Sequence, residues 1–453
     1  MTRRLPPFAG VVSAAESRHG GLPVAEATAR LHRLAYMKQR LAIAAAAFLP
    51  PTPEWEAKCA LALHGWLDAE HAAMLYARLA ELREPSPGPA DVPDEGLAAA
   101  FDELLAAPDT ATRLTGLYGL ARPQLSAALD DYLRETNALC DQPSVRLLRI
   151  IAAEEQEIQQ WGNHAIEAFG TSVEIEDWRG HLSTAFRSLT DLPARRFVAP
   201  YRFDVTPARD ERFTHVFDIS TPADVVYLDD SRAADERNAA LMFKRLREMD
   251  VPEVIAGIVA ERWAEERNAG DRGRPWAYYA SMLRQMWDEA RHAMLGQALL
   301  ENRGVDWTTL PVNVTFSWKL GRFCTPVERH ILLYAIEQSL MPKDRGKPYE
   351  HRIAVESGDG LSALFHDYDW ADEVLHVEIA RRCLRPELPG GLNEARQRAD
   401  ALWARITDAL EREPLPGADA AALGDWWPRF ARQVIGREPP PVRETHVKDW
   451  RPE

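Results

Sequence analysis

The chain has 453 residues, enough for two or three domains that each bury a core of their own. Hydrophobic content of 46% and charged content of 27% are those of an ordinary soluble globular protein, and a formal net charge of −15 argues against a nucleic-acid backbone as the main partner. The four cysteines (Cys59, Cys140, Cys324, Cys383) lie far apart with no C-x-x-C, which disfavours clustered-thiolate iron–sulfur or structural zinc sites and fits a reducing compartment. No apolar run reaches the roughly 18 residues of a membrane span, and the start MTRRLPPFAGVVSAAESRHGG lacks a signal-peptide core, so the expectation is a cytoplasmic protein with no membrane partner.

In chain order, a 3.6-residue apolar period in Ala-, Leu-, Arg- and Glu-rich sequence predicts helices over 23–49, 54–84, 110–139 and 143–169, a bundle's worth. From 171 to 231 the texture changes, and VEIEDW, FTHVFDI and DVVYLDD read as short strands or extended linker. Helical periodicity resumes over 232–248, 252–268, 275–302, 325–341 and 360–384, with two more helices near 392–413 and 418–436 before a Pro-rich end. The predicted fold is mainly α. It comprises a helical bundle over 1–170, a linker over 171–231, a second bundle over 232–385 and C-terminal helices with a tail over 386–453. The halves look related. WLDAEHAAML at 66–75 and WDEARHAMLG at 287–296, aligned on His71 and His292, share Trp, Ala, His and Ala, and Asp68 faces Glu289.

Two stretches of the second half contain Asp-Glu-x-x-His: DEARH at 288–292 and DEVLH at 372–376. On a helix, residues i and i+3 share a face, so each Glu–His pair can bind one ion or two neighbouring ions, and mixed oxygen and imidazole ligands suit iron, manganese or zinc. With 13 His in the chain, about one E-x-x-H pair is expected by chance, and Glu16–His19 in a Gly-flanked segment is read as that accident. Spacing strengthens the other two. A carboxylate-bridged dimetal bundle needs one further Glu from each of two more helices. Glu253 lies 36 residues before Glu289, and Glu337 lies 36 before Glu373. With about 15 residues from Glu253 to its helix end and about 14 from Pro275 to Glu289, antiparallel packing sets the two level, whereas Glu261 would stand roughly 10 Å off. Pro342 must end or kink the Glu337 helix.

These residues resemble the ferritin-like di-iron carboxylate superfamily, over about 232–385 well and over about 23–170 in degenerate form. The resemblance implies tandem ferritin-like four-helix bundles. It also implies a metal set of Glu253, Glu289, His292, Glu337, Glu373 and His376, with Glu289 and Glu373 bridging or chelating and Asp288 and Asp372 orienting the histidines across the bundle. The cofactor implied is two iron ions, with manganese or a mixed pair compatible with the same ligands. The implied activity is an O₂-dependent non-haem oxygenase or oxidase acting on a small organic molecule. Dioxygen and an external electron donor would be partners, and a homodimer is compatible. Alternatives are a ferroxidase, a tRNA-modifying hydroxylase, which the charge disfavours, and a non-catalytic helical scaffold.

In the first half, Asp68-x-x-His71 keeps a ligand-like pair, but His32 stands 36 residues upstream and Ile158 falls where a second histidine is needed. A pseudo-bundle serving as scaffold is the favoured reading there, with a mononuclear His32–Asp68–His71 site as the alternative. Tyr278, Tyr279, Trp287, Tyr334 and Trp370 read as core aromatics rather than a radical relay. Arg291 reads equally as a partner of a carboxylate near the metals or as a solvated charge. His164, His330, His351 and His366 read as non-ligands. Thr325 before Pro326 reads as a helix cap.

Overall fold

A computed structural model describes residues 5–83, 88–187, 200–213, 222–270, 273–312, 314–415 and 426–442. The helices fall where the periodicity placed them: α1 Val24–Phe48, α2 Trp55–Ala80, α4 Thr110–Gly116 running through a π-helical turn Leu117–Ala121 into α5 Arg122–Glu135, and α6 Gln142–Phe169. A short α3, Glu95–Leu104, precedes α4. Later come α9 Ala234–Leu246, a 3₁₀ turn Arg247–Asp250, α10 Val251–Ala269, α11 Trp276–Glu301, α13 Pro326–Ser339, α15 Gly360–Leu384, α16 Leu392–Arg412 and α17 Trp426–Ile435. Sequence periodicity does not mark two short helices, α12 Thr315–Phe323 and α14 Lys347–Glu356.

The strands expected between 171 and 231 are absent among the described residues. VEIEDW opens α7, Val173–Arg187, and DVVYL lies in α8, Pro222–Leu228, while FTHVFDI falls mostly outside the described residues. The alternation in VEIEDW is misleading because the burial that counts comes later. Trp178, Leu182, Ala185 and Phe186 are buried at helical spacing, and Glu174 and Glu176 sit in the first turn, where the helix dipole favours them.

Side-chain caps fix the starts of the helices that matter. Thr325 accepts from the Glu328 backbone while Glu328 returns to the Thr325 backbone, a capping box with Pro326 in the first turn, as its sequence suggested. Asp359 accepts from the backbone N–H groups of Leu361 and Ser362 and starts α15. Such caps contribute about 1 kcal/mol each.

The chain divides into two compact units built from non-contiguous stretches. Unit 1 comprises Met1–Phe48, Leu63–Arg202 and Trp263–Ala280, and unit 2 comprises Leu49–Ala62, Phe203–Arg262 and Ser281–Glu453. In unit 1, α5 packs on α1 and α6, and α7 packs on α3 and α4. In unit 2, α15 packs on α13 and α14, while α9 packs on α8, α14 and α17. The unit 2 core is strongly aromatic, with Phe243 against Trp426 and Phe430, and with Trp307 beside Phe213. No helix among the described residues is long and apolar enough to cross a membrane.

Candidate metal centre

Unit 2 buries an unusual amount of charge. Along α15, the inward face carries His366, Asp369, Asp372, Glu373 and His376, all buried. Across from it, α11 buries Asp288, Glu289 and His292, and α13 buries Glu337. Charged groups taken out of water must be paired or must bind a cation.

The side chains fall into an ordered arrangement. Glu289 stands between the two histidines, with Oε1 3.2 Å from His376 Nδ1 and Oε2 3.6 Å from His292 Nδ1. The far nitrogens are held crosswise: His292 Nε2 is 3.2 Å from Asp372 Oδ2 on α15, and His376 Nε2 is 3.4 Å from Asp288 Oδ2 on α11. An ionised carboxylate only accepts, so each Nε2 donates to its aspartate and each Nδ1 faces Glu289. Arg291 donates to both Asp288 and Asp372, at 2.7 and 2.6 Å, and so takes the partnered of its two readings.

Three groupings bring donor atoms within 4.8 Å of one another among the described residues: Glu289, Glu337, Glu373 and His376; Glu248, His292 and Asp369; and Glu350, His366 and Asp369. Five of the six expected ligands therefore lie in the first two. Glu253 does not. It faces Lys58 Nζ at 2.6 Å and Arg209, and Ser317 Oγ donates to it at 3.0 Å. Burial pushes its carboxyl upward, but Arg209 and Lys58 outweigh that and hold it below its ordinary value. Counting along α10 fixes a height and not the direction in which a side chain turns; Glu248, in the 3₁₀ turn Arg247–Asp250 before that helix, reaches His292 instead. Glu261, the competing candidate, pairs with Arg329 at 2.5 Å.

Close backbone contact makes Glu248 available. A Cβ on Gly296 would stand 2.3 Å from Leu246 N and 2.8 Å from Arg245 C, so only glycine lets α11 approach the end of α9 one turn after His292. Glu248 Oε2 is then 3.6 Å from His292 Nδ1. Asp369, four residues before Glu373 on the same helical face, comes within 3.4 Å of that nitrogen.

Two cations share the second grouping. Lys347, at the start of α14 and fully buried, places Nζ 2.7 Å from Glu373 Oε1, 2.9 Å from Asp369 Oδ1 and 3.8 Å from Glu248 Oε1. Arg245 reaches Asp369 Oδ1 at 2.5 Å and Glu248 Oε1 at 2.7 Å. His366, read from the sequence as a non-ligand, joins the third grouping. Its Glu350 is engaged by Lys244 and Arg245, and burial together with Arg245 lowers the His366 imidazole to about 4.

The electrostatics favour a cation among the first four groups. Burial alone would lower both histidines. The carboxylates around them win, lifting His292 to about 10 and His376 well above its usual value. Burial raises Glu337 well above the ordinary carboxyl range, with Glu373 and Glu289 adding to the shift. Four buried atoms of the expected ligands make no hydrogen bond: His292 Nδ1, His376 Nδ1, Glu337 Oε2 and Glu373 Oε2. Gln285 donates to Glu337 Oε1, which leaves Oε2 as the unpaired oxygen. Converging unpaired oxygen and imidazole donors are what an iron or manganese ion requires, so the residues fit such an ion.

Unit 1 answers the same burial differently. Lys38 Nζ lies 2.8 Å from Asp68 Oδ1 and 2.6 Å from Glu155 Oε2, and Arg122 reaches Asp68 at 2.6 Å and Glu155 at 2.9 Å. Two carboxylates are bridged by two side-chain cations. His32 bonds to the Asp91 carbonyl and His71 to Glu154, and the described residues of unit 1 bring no three metal-ligating groups together. Comparison with protein-family models, with curated proteins and with solved structures returns no match to this chain.

Proposed function

We propose that the chain is an O₂-dependent non-haem iron oxidoreductase with a ferritin-like carboxylate–histidine centre in unit 2, acting on a small organic substrate, and that unit 1 is a related bundle without a metal. The observation that carries this reading is the group of Glu289, Glu337, Glu373 and His376, with both imidazoles backed crosswise by Asp288 and Asp372. When bound, iron held by such ligands supplies the redox chemistry that dioxygen needs. Manganese suits the same donors.

The chain's own residues supply the rest. Glu289 spans the two imidazoles; Asp288 and Asp372 fix their tautomer and orientation. Gln285 holds one oxygen of Glu337 and frees the other. Arg245 and Lys347 offset the surplus of carboxylates, which would otherwise repel one another in a poorly solvated interior. The four residues of that group are at most 3% exposed, which keeps bulk water and macromolecules away and supports dioxygen and a small molecule as reactants.

The test uses full-length protein produced with iron supplied. Metal content per chain is measured, and reduced protein is then mixed with O₂ while absorbance and oxygen consumption are followed. Retained iron and oxidation faster than that of free Fe(II) in the same buffer are expected. Protein that holds no iron, or oxidises no faster than the buffer control, would overturn the proposal.

A further inference from the structure

The two neighbouring groupings in unit 2 differ in what already occupies them. In the first, Glu337 Oε2, Glu373 Oε2 and His376 Nδ1 make no hydrogen bond, and no lysine or arginine among the described residues reaches those atoms. In the second, both carboxylates are already engaged by side-chain cations. Asp369 accepts from Lys347 at 2.9 and 3.0 Å and from Arg245 at 2.5 Å, and Glu248 meets Arg245 at 2.7 Å with Lys347 Nζ 3.8 Å away. Among these ligand atoms His292 Nδ1 makes no hydrogen bond, its nearest carboxylate oxygen being Asp369 Oδ1 at 3.4 Å.

Glu373 shows the division on a single side chain. Its Oε1 is 2.7 Å from the Lys347 ammonium, and its Oε2 is unpaired. A bridging carboxylate of a dimetal centre gives one oxygen to each ion; here one of the two partners is an amine.

Lys347 is not a side chain passing through. It is fully buried, and its backbone is locked. Lys347 N donates to Leu340 O at 2.8 Å, Gly346 N donates to Pro342 O at 2.9 Å, and a Cβ on Gly346 would collide with Leu340 O at 2.1 Å. Moving the ammonium aside for a metal would strip Glu373 Oε1 of its cation, leave Asp369 to Arg245 alone and leave a buried ammonium unpaired, which is strongly unfavourable. Unit 1 shows the same substitution carried further: there an ammonium and a guanidinium, Lys38 and Arg122, join Asp68 and Glu155 with no metal-ligating group assembled.

We propose that Lys347 permanently fills the second cation position, so that the centre binds a single divalent metal ion, at Glu289, Glu337, Glu373 and His376, beside a built-in ammonium. This rests on the metal centre proposed above and replaces the dinuclear expectation with a mixed pair of one metal and one amine. Glu373 bridges the two, and His292 belongs to the amine side. The lysine excludes a second ion by charge and by occupying its ligands.

The experiment titrates anaerobic full-length protein with Mn(II) alone. Bound metal per chain is counted after desalting, and the electron paramagnetic resonance spectrum is recorded. The same is done for Lys347→Met and Lys347→Arg, with far-UV circular dichroism as the check on folding. Wild type is expected to bind one ion per chain with the spectrum of an isolated Mn(II). Lys347→Arg, which keeps the cation, is expected to do the same. Lys347→Met is expected to bind two, with the broadened spectrum of coupled ions. Two coupled ions in wild type would overturn the role of Lys347 and leave the metal centre standing. No bound ion in wild type would overturn the metal centre and this inference with it. One ion in a folded Lys347→Met would show that the lysine is not what excludes the second. Should that variant fail to fold, the wild-type count and spectrum still decide.

Discussion

The crossed pairing of histidines and aspartates gives the sharpest handle on the centre. Asp288→Asn and Asp372→Asn remove one negative charge each and keep nearly the same shape. Replacing the partner that orients a ligating imidazole costs roughly 10–100-fold in metal affinity, about 1.4–2.7 kcal/mol. The structure predicts unequal losses. Asp288 is fully buried and takes His376 Nε2 at 3.4 Å, Arg284 at 2.8 Å and Arg291 at 2.7 Å. Burial alone would raise its carboxyl, but the bonds from His376, Arg284 and Arg291 outweigh that and hold it well below the usual range. His376 belongs to the group with unpaired oxygens, so Asp288→Asn is expected near the upper end of that range. Asp372 backs His292, which stands on the side filled by Lys347, and its side chain is 12% exposed. Asp372→Asn is expected to cost about threefold or less, mostly through the shared Arg291. The assay is competition for Co(II) or Mn(II) against a chromophoric chelator at fixed pH and ionic strength. Equal large losses would show that both imidazoles are ligands and refute the asymmetry. No loss in either variant would show that the crossed contacts do not orient a metal ligand at all.

Three other outcomes are expected. Glu253→Gln should leave metal content unchanged, because Glu253 is held by Lys58 and Arg209. It should cost about 3 kcal/mol of stability by leaving two buried cations underpaired, and a fall in metal content measured by elemental analysis would restore it to the ligand set. Arg122→Met removes one of the two cations that join Asp68 and Glu155 in the unit 1 interior. Urea denaturation should show a loss of about 3–5 kcal/mol, and a loss below about 1 kcal/mol would mean the network is solvated or rearranges. His64 is buried and bonded to the Tyr118 hydroxyl at 2.7 Å. Burial first, then the nearby Arg122 and Lys38 charges, hold it well below its usual value. Its folded pKa is depressed, so its contribution is complete above the unfolded value near ~6.5 and is lost as pH falls, by up to about 1.4 kcal/mol per pH unit. His64→Gln should flatten that part of the stability–pH curve, and an unchanged slope between about pH 6.5 and 5 would assign the acid sensitivity to another group.

Local rules reach most of the helices and both Glu-x-x-His pairs, because a 3.6-residue period and an i, i+3 spacing are properties of one helix. The crossed role of Asp288 and Asp372 came from the resemblance rather than from helix periodicity, since it depends on how two helices face each other. What local rules miss depends on more than one element. Glu248 comes beside His292 from a 3₁₀ turn and across the contact that Gly296 allows, and Glu253 is taken up by Lys58 and Arg209, none of which has a periodic signature. VEIEDW alternates like a strand, yet its helix is decided by residues farther along, Trp178, Leu182 and Phe186. Lys347 was invisible for a deeper reason. A search for ligand types asks which side chains can hold a cation and passes over those that are one, although a buried ammonium and a metal ion meet the same need. The carboxylates of each unit require positive charge wherever it comes from. Unit 1 meets that need with Lys38 and Arg122, and unit 2 meets part of it with Lys347 and Arg245, leaving carboxylate oxygens around His376 without a hydrogen bond. Carboxylates packed inside a helical bundle therefore do not by themselves require metal, provided that a lysine or arginine on a neighbouring helix reaches inward. In such an interior, counting glutamates and histidines gives an upper bound on the metal content, and the inward-facing cations have to be weighed before a stoichiometry is read from sequence.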